Sequence, residues 1–234
     1  MRNFFRFVFN TFVVLLFVGL IITLLVTYDS YPSEYEAKPI SGVVFDAESR
    51  KPVEGAVVVA IWSEYGGAFQ AYKIDELEVQ ETVTDSQGKY TLPGWPLKRS
   101  RNWSAFVPTD EPRIFAYKYK YSPKYIYNGI VQEMGRRQPY KHERTISWHG
   151  STDIYMSPLI YTENERWRIE SQFIQITPSI YYGCGWKKLT HLLLEVDKQR
   201  IEIESHWYLS EGDGHRPECP GAIKLIENAR KSKE

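Results

Sequence analysis

The sequence holds two cysteines in 234 residues, Cys184 and Cys219, and none before position 184. A lipid-modified cysteine at the head of a mature chain is therefore excluded, and so is a Cys-x-x-Cys redox pair. Histidine is scarce, with five residues. No His-Glu-x-x-His, Gly-x-Ser-x-Gly or phosphate-binding glycine loop occurs. The chemistries that those spacings serve are set aside with them. Net charge is missing too, because 29 Lys+Arg stand against 29 Asp+Glu. A nucleic-acid binder is normally basic overall, so no nucleic-acid partner is expected. No cofactor and no metal are expected either, and the residues name no reaction.

What is present is globular and rich in aromatics. Hydrophobic residues make up 43% and charged residues 25%, ordinary values for a folded domain. Aromatics reach 15%, with 17 tyrosines, and such rings suit the half-buried surface of a strand. The neutral charge is only an average. Asp29 to Tyr90 carries twelve acids and five Lys/Arg, whereas Leu97 to Ser151 carries eleven Lys/Arg and four acids.

Phe7 to Tyr28 is one apolar run, interrupted only by Asn10, Thr11, Thr23 and Thr27. As a helix it is long enough to cross a hydrocarbon core of about 30 Å. Arg2 and Arg6 precede it, and Asp29, Glu34 and Glu36 follow it. The positive end stays in the cytoplasm, so the bulk of the chain is expected outside it. A cleaved signal peptide needs small residues before its cleavage point. Tyr28 or Leu25 would stand there, and a retained anchor is favoured. Residues 1–6 are read as cytoplasmic, 7–28 as the transmembrane anchor and 29–38 as a linker.

Pro39 to Trp62 opens with the alternating Ile40, Gly42 and Val44, and Asp46 then starts a turn. Ala56 to Ile61 is continuously apolar and includes Val57, Val58 and Val59, which favours a strand buried on both faces. Asp85 and Gly88 bracket a turn in Thr82 to Trp95, and the alternating Lys89 to Leu92 leaves it as a strand until Pro93. The stretch reads as a hairpin turn, not a calcium loop, because the repeated acids are missing. Further strands are expected at Trp103 to Val107, at Arg113 to Tyr121 and at Asp153 to Ser157. In the second of these, Phe115, Tyr117, Tyr119 and Tyr121 share one face, and Ala116, Lys118 and Lys120 the other, as in a half-buried strand.

Gly42, Asp46, Pro52, Gly55–Ala56 and the Thr84-Asp85-x-x-Gly88-x-Tyr90 turn, in that order and spacing, resemble the carboxypeptidase regulatory-like domain family. The resemblance covers Pro39 to Leu159 and implies a transthyretin-like β-sandwich. It also implies a domain that is not itself catalytic. The sequence departs from the family at Lys120-Tyr121-Ser122-Pro123 and in a long basic insertion, Lys124 to Gly150. The bacterial envelope is the setting that the resemblance implies: inner membrane, single pass, bulk on the periplasmic side.

The tail changes character. Thr162 and Glu165 fit a capping box ahead of a first helix through Trp167, Phe173 and Ile174. A second helix is expected from Trp186 to about Trp207, with Leu189, Leu192, Leu193, Val196 and Ile203 as its apolar stripe, and a third from Gly221 to about Lys231. Outside the cytoplasm Cys184 and Cys219 are expected to pair. Closing that loop contributes about 3–4 kcal/mol in the chain-entropy model. The expected fold class is mainly β: an N-terminal transmembrane helix, a transthyretin-like antiparallel β-sandwich over 39–159, and a helical tail over 160–234.

Candidate chemistry is thin. His149 lies near Ser151 and Asp153, but sequence proximity says little about a triad, and an exposed loop is the expected reading. Glu211, Asp213 and His215 read as a glycine-rich loop, since no fourth ligand is evident. The strongest hint is compositional. Lys118, Lys120, Lys124, Arg136, Arg137 and Lys141 are interleaved with Tyr117, Tyr119 and Tyr121. Gathered on one face, they would suit an anionic polymer, a lipid headgroup or an acidic partner. The plainer alternative is a half-buried strand with a solvated basic side. A non-catalytic binding or scaffolding module of the cell envelope is the leading expectation, with an envelope polymer or protein as partner. An accessory subunit docking through the tail and an unrecognised envelope hydrolase are the alternatives.

Overall fold

The structure is a computed structural model that describes residue 6 and residues 11–21, 34–66, 72–100, 105–108, 111–126, 128, 143–159, 187–202 and 222–231. Ten strands run in the order β1 (Glu34–Ala37), β2 (Ile40–Asp46), β3 (Val57–Gly66), β4 (Tyr72–Val83), β5 (Lys89–Leu92), β6 (Trp95–Arg99), β7 (Arg113–Tyr117), β8 (Lys124–Ile126), β9 (Glu143–Ile146) and β10 (Ile154–Met156). Helices α1 (Thr190–Glu202) and α2 (Ala222–Lys231) follow. The strands form sheets β4-β3-β7-β8, β10-β2-β5 and β6-β1-β9. The chain is mainly β and sandwich-like, with a helical C-terminal part, as its composition leads one to expect.

The apolar run at β3 decides the layering. Val58, Ala60 and Trp62 point into one core with Val44 of β2, Leu92 of β5, Ile146 of β9 and Met156 of β10. Val57, Val59 and Ile61 point the other way and pack with Phe115, Tyr117, Leu189 just ahead of α1, and the α1 residues Leu192 and Val196. The long sheet is therefore buried on both faces, by the two short sheets and by α1. That is why β3 shows no polar alternation over its first six residues. Glu81 of β4 fixes where α1 begins, because its carboxylate accepts the His191 and Leu192 N–H groups at 2.9 and 3.1 Å. A negative side chain at a helix N-terminus satisfies orphan donors and opposes the dipole.

Several expectations change. The sandwich is not wholly antiparallel: β1 pairs parallel with β9, and β2 parallel with β10. Both pairs join segments about a hundred residues apart, which hairpins alone cannot do. The expected linker 29–38 contains β1. The expected basic insertion, Lys124 to Gly150, contains β8 and β9. The turn after β4 is a passage between sheets, not a hairpin: β4 pairs with β3, whereas β5 pairs with β2. The strand expected over Arg113 to Tyr121 stops at Tyr117. Lys120 takes φ 68°, and Tyr121 N–H bonds the Lys118 carbonyl at 3.0 Å. Of Trp103 to Val107, Phe106 forms a single bridge to Tyr65.

Two of the expected tail helices are present among the described residues, the second beginning at Thr190 and not at Trp186, with Lys187 and Lys188 in a 3-10 turn before it. Leu189, Leu192, Leu193 and Val196 are buried as its stripe requires, and α2 lies against α1 with Arg230 paired to Asp197. The first expected tail helix, Ile203, Cys184 and Cys219 lie outside the described residues. At the other end residues 11–21 are helical, a rise of about 16 Å at the usual pitch. Among the described residues no helix is long and apolar enough to cross a membrane.

Candidate functional site

The turn residues of the family-like pattern all have structural work. Asp85 Oδ1 accepts the Gln87 and Lys89 N–H groups at 2.8 and 2.9 Å, and Gly88 sits at φ 71°. Thr84 Oγ1 donates to the Val53 carbonyl and accepts from Ala56 N–H, fastening the loop before β3. Tyr90 reaches under the sheet, its hydroxyl donating to the Thr152 carbonyl at 2.7 Å. Burial pushes that hydroxyl well above the usual tyrosine range. These groups are held by backbone partners.

The basic, tyrosine-rich stretch does not gather as one face among the described residues. Tyr117 is buried beneath α1. Tyr119 N–H donates to Glu195 of α1, and the Tyr121 hydroxyl donates to Asp46 Oδ2 at 3.0 Å. Lys118 Nζ donates to the Gly55 carbonyl at 3.1 Å, Lys120 lies over the Tyr119 ring, and Lys124 is exposed on β8. Arg136, Arg137 and Lys141 lie outside the described residues.

Part of the uneven charge is neutralised internally. Lys98 pairs with Glu78 and Arg99 with Glu34, so acids of the earlier segment meet bases of the later one through β4, β6 and β1. Lys188, ahead of α1, also pairs with Glu78. Burial works to raise the Glu78 carboxyl, but the ammonium groups of Lys188 and Lys98 outweigh it and hold it low.

The candidate catalytic groups fare no better. His149 is exposed, and its backbone N–H donates to Asn128 Oδ1 at 2.8 Å. Ser151 Oγ exchanges hydrogen bonds with the backbone of Asp153. Glu211, Asp213 and His215 lie outside the described residues. Among the described residues no group of three His, Cys, Asp or Glu side chains is placed to hold a metal ion.

The best-built surface feature is the turn after β2, which the sequence marks only by Asp46. Asp46 Oδ1 accepts the Glu48 and Ser49 N–H groups at 3.0 and 2.7 Å, and Oδ2 takes the Tyr121 hydroxyl. The Ser49 N–H, more than any other group, holds the Asp46 carboxyl below its ordinary range, against the opposing effect of burial. A lowered folded pKa stabilises above the unfolded value of about 4, and that contribution is lost as pH falls through the folded value. Asp46→Asn is expected to lower Tm at neutral pH, with the gap to the natural chain closing in acid. Melting curves of both chains across that range are the check, and a gap that stays constant would remove the carboxylate from the account.

No family model matches the chain, and no curated protein matches it. Among solved structures it is similar to a point mutant of the Acinetobacter radioresistens catechol 1,2-dioxygenase, at 12% identity and TM-score 0.31 over 55% of this chain and 53% of that one. It is also similar to the catechol 1,2-dioxygenase of Pseudomonas arvilla C-1, at 13% identity and TM-score 0.29 over 57% and 55%. These matches span about half the length of either enzyme. At such scores neither carries an activity over to this chain.

Proposed function

We propose that the chain is a membrane-anchored, extracytoplasmic, non-catalytic binding or scaffolding module of a bacterial envelope. The observation that carries this reading is the helical stretch 11–21. Phe12, Leu15, Leu16, Phe17, Leu20 and Ile21 on it are each more than half exposed, on all sides of the helix. An apolar helix with no polar face belongs in a protein core or a lipid bilayer, and no element among those described covers this one. The apolar run continues in the sequence to Tyr28, with Arg2 and Arg6 before it and acids after it. That asymmetry directs the sandwich to the periplasmic side. An oxidising compartment also suits a Cys184–Cys219 bridge.

The transthyretin-like, carboxypeptidase regulatory-like reading of 39–159 supports a spacer or binding role. The accessory-subunit reading is weakened by α1, whose apolar stripe packs on this chain's own sheet.

The anchor is open to a direct test. Leu16→Arg combined with Val18→Arg adds about 3 kcal/mol of insertion cost per charge near the middle of the run. The natural chain is expected in the membrane fraction, resistant to carbonate, and the double variant in the soluble fraction. A natural chain released by carbonate, or a double variant that stays membrane-bound, would end the anchor reading.

A further inference from the structure

The turn after β2 presents a single arginine in an unusual posture. Arg50 has φ 59°, in the left-handed region that a side chain with Cβ rarely occupies. It is kept there by its N–H on the Asp46 carbonyl at 3.0 Å, by Asp46 N–H on the Lys51 carbonyl at 2.8 Å, and by the Asp46 carboxylate within the turn. Strain of this kind persists where the surroundings over-determine it, and it clusters at functional positions.

The strain places a guanidinium on an aromatic column. Arg50 lies over the Tyr155 ring, 4.8 Å from its centre, and that ring also stacks with Phe45 at 5.4 Å. Phe45 and Tyr155 are side by side because β2 and β10 pair in parallel at that register. Tyr155 is 40% exposed and Arg50 is exposed. No carboxylate pairs with Arg50 among the described residues. A guanidinium held over a ring by its charge keeps N–H donors for a ligand, and its fork matches a carboxylate in two hydrogen bonds.

The rest of this outer face is polar and nearly flat in charge. Ser41 of β2 and Thr91 of β5 share a hydrogen bond at 3.0 Å in the same sheet, and Lys89 of β5 stands beside Val43. Asp153 is already bonded to Val43 N–H, and Glu48 adds an acid to the turn. Arg50, Lys51 and Lys89 thus share this region with Glu48 and Asp153, so both signs of charge are interspersed on it. Such a face suits a hydroxyl-rich chain with one charge per unit, not a dense polyphosphate.

We propose that Arg50, seated on the Tyr155–Phe45 column, anchors a surface that binds a carboxylate-bearing glycan. This names the ligand class for the binding role proposed above and rests on that envelope reading.

The test uses the full chain in detergent micelles with immobilised polygalacturonate, with dextran and polyphosphate as comparisons. Retention on polygalacturonate above both is expected. Arg50→Gly, Arg50→Lys and Tyr155→Ala are each expected to weaken it about tenfold, the scale of one lost charge-assisted contact. Arg50→Gly should keep or raise Tm, since glycine accepts the positive φ. Arg50→Lys keeps the charge and loses the fork. Equal retention by Arg50→Gly or Arg50→Lys, equal binding to dextran, or a preference for polyphosphate would each overturn the proposal. Detergent removes the membrane from the measurement, so failure of the anchor and failure of this surface are read separately.

Discussion

A chain ending at Leu159 is expected to aggregate, even though the family-like segment Pro39 to Leu159 would then be complete. The reason is the second face of the long sheet. Val57, Val59, Ile61, Phe115 and Tyr117 are at most 2% exposed, and α1 is what the structure places against them. Burying a large aliphatic side chain contributes about 1.5–3 kcal/mol. Leu189, Leu192 and Val196, which pack on that face, together then amount to about 5–9 kcal/mol as an upper figure. That is the size of a whole domain's stability, about 5–15 kcal/mol. The lost cover also leaves an apolar patch open to other chains.

Size-exclusion chromatography and dye binding to exposed apolar surface, with full-length and shortened chains in the same detergent, are the check. A shortened chain that stays monodisperse and melts at the same temperature would show that α1 is not part of the sandwich's core. Leu192→Ala is the milder form of the same experiment, with an expected loss of about 2–5 kcal/mol.

Gly42→Ala is expected to be the most damaging single methyl group. A Cβ at Gly42 would stand 2.0 Å from the Thr152 carbonyl oxygen and 2.6 Å from its carbon. Thr152 lies just before β10, so the methyl group would push on the segment that feeds the parallel pair. Tyr90, opposite Gly42 in the β2–β5 register, donates its hydroxyl to that same carbonyl. The glycine therefore makes room for a backbone approach and for the ring beside it.

Overpacking costs about 1–3 kcal/mol, and a buried hydroxyl left without its acceptor a further 1–3 or so. The total expected is about 2–6 kcal/mol, read by chemical or thermal unfolding. Tyr90→Phe removes only the hydrogen bond and should cost about 1 kcal/mol. If Gly42→Ala melted like the natural chain, the close approach of Thr152 to β2 would be wrong. The same displacement would move Tyr155 relative to Phe45, so a surviving Gly42→Ala protein should also bind the polyuronate less well.

The sequence by itself determined the features whose cause is local or periodic. The Asp46 turn, the Asp85–Gly88 turn, the β-branched run of β3 and the apolar stripe of α1 all follow from side chains within a few positions of each other. Only the tertiary structure decided which strands lie together. The strands β1, β6 and β9 are short and polar, one of them with Pro96 inside it, and they leave little periodic trace. Their partners are distant in sequence, so nothing local records the pairing. The same holds for function. The basic, tyrosine-rich stretch stood out in the sequence, yet strand pairing sends Tyr117 into the core, Lys98 to Glu78 and Arg99 to Glu34. Phe45, Arg50 and Tyr155 share no local pattern; the parallel register of β2 and β10 sets Phe45 beside Tyr155, and the turn after β2 brings Arg50 over that ring. Periodicity reports which way a side chain points along its own strand; only the folded sheet decides what it meets.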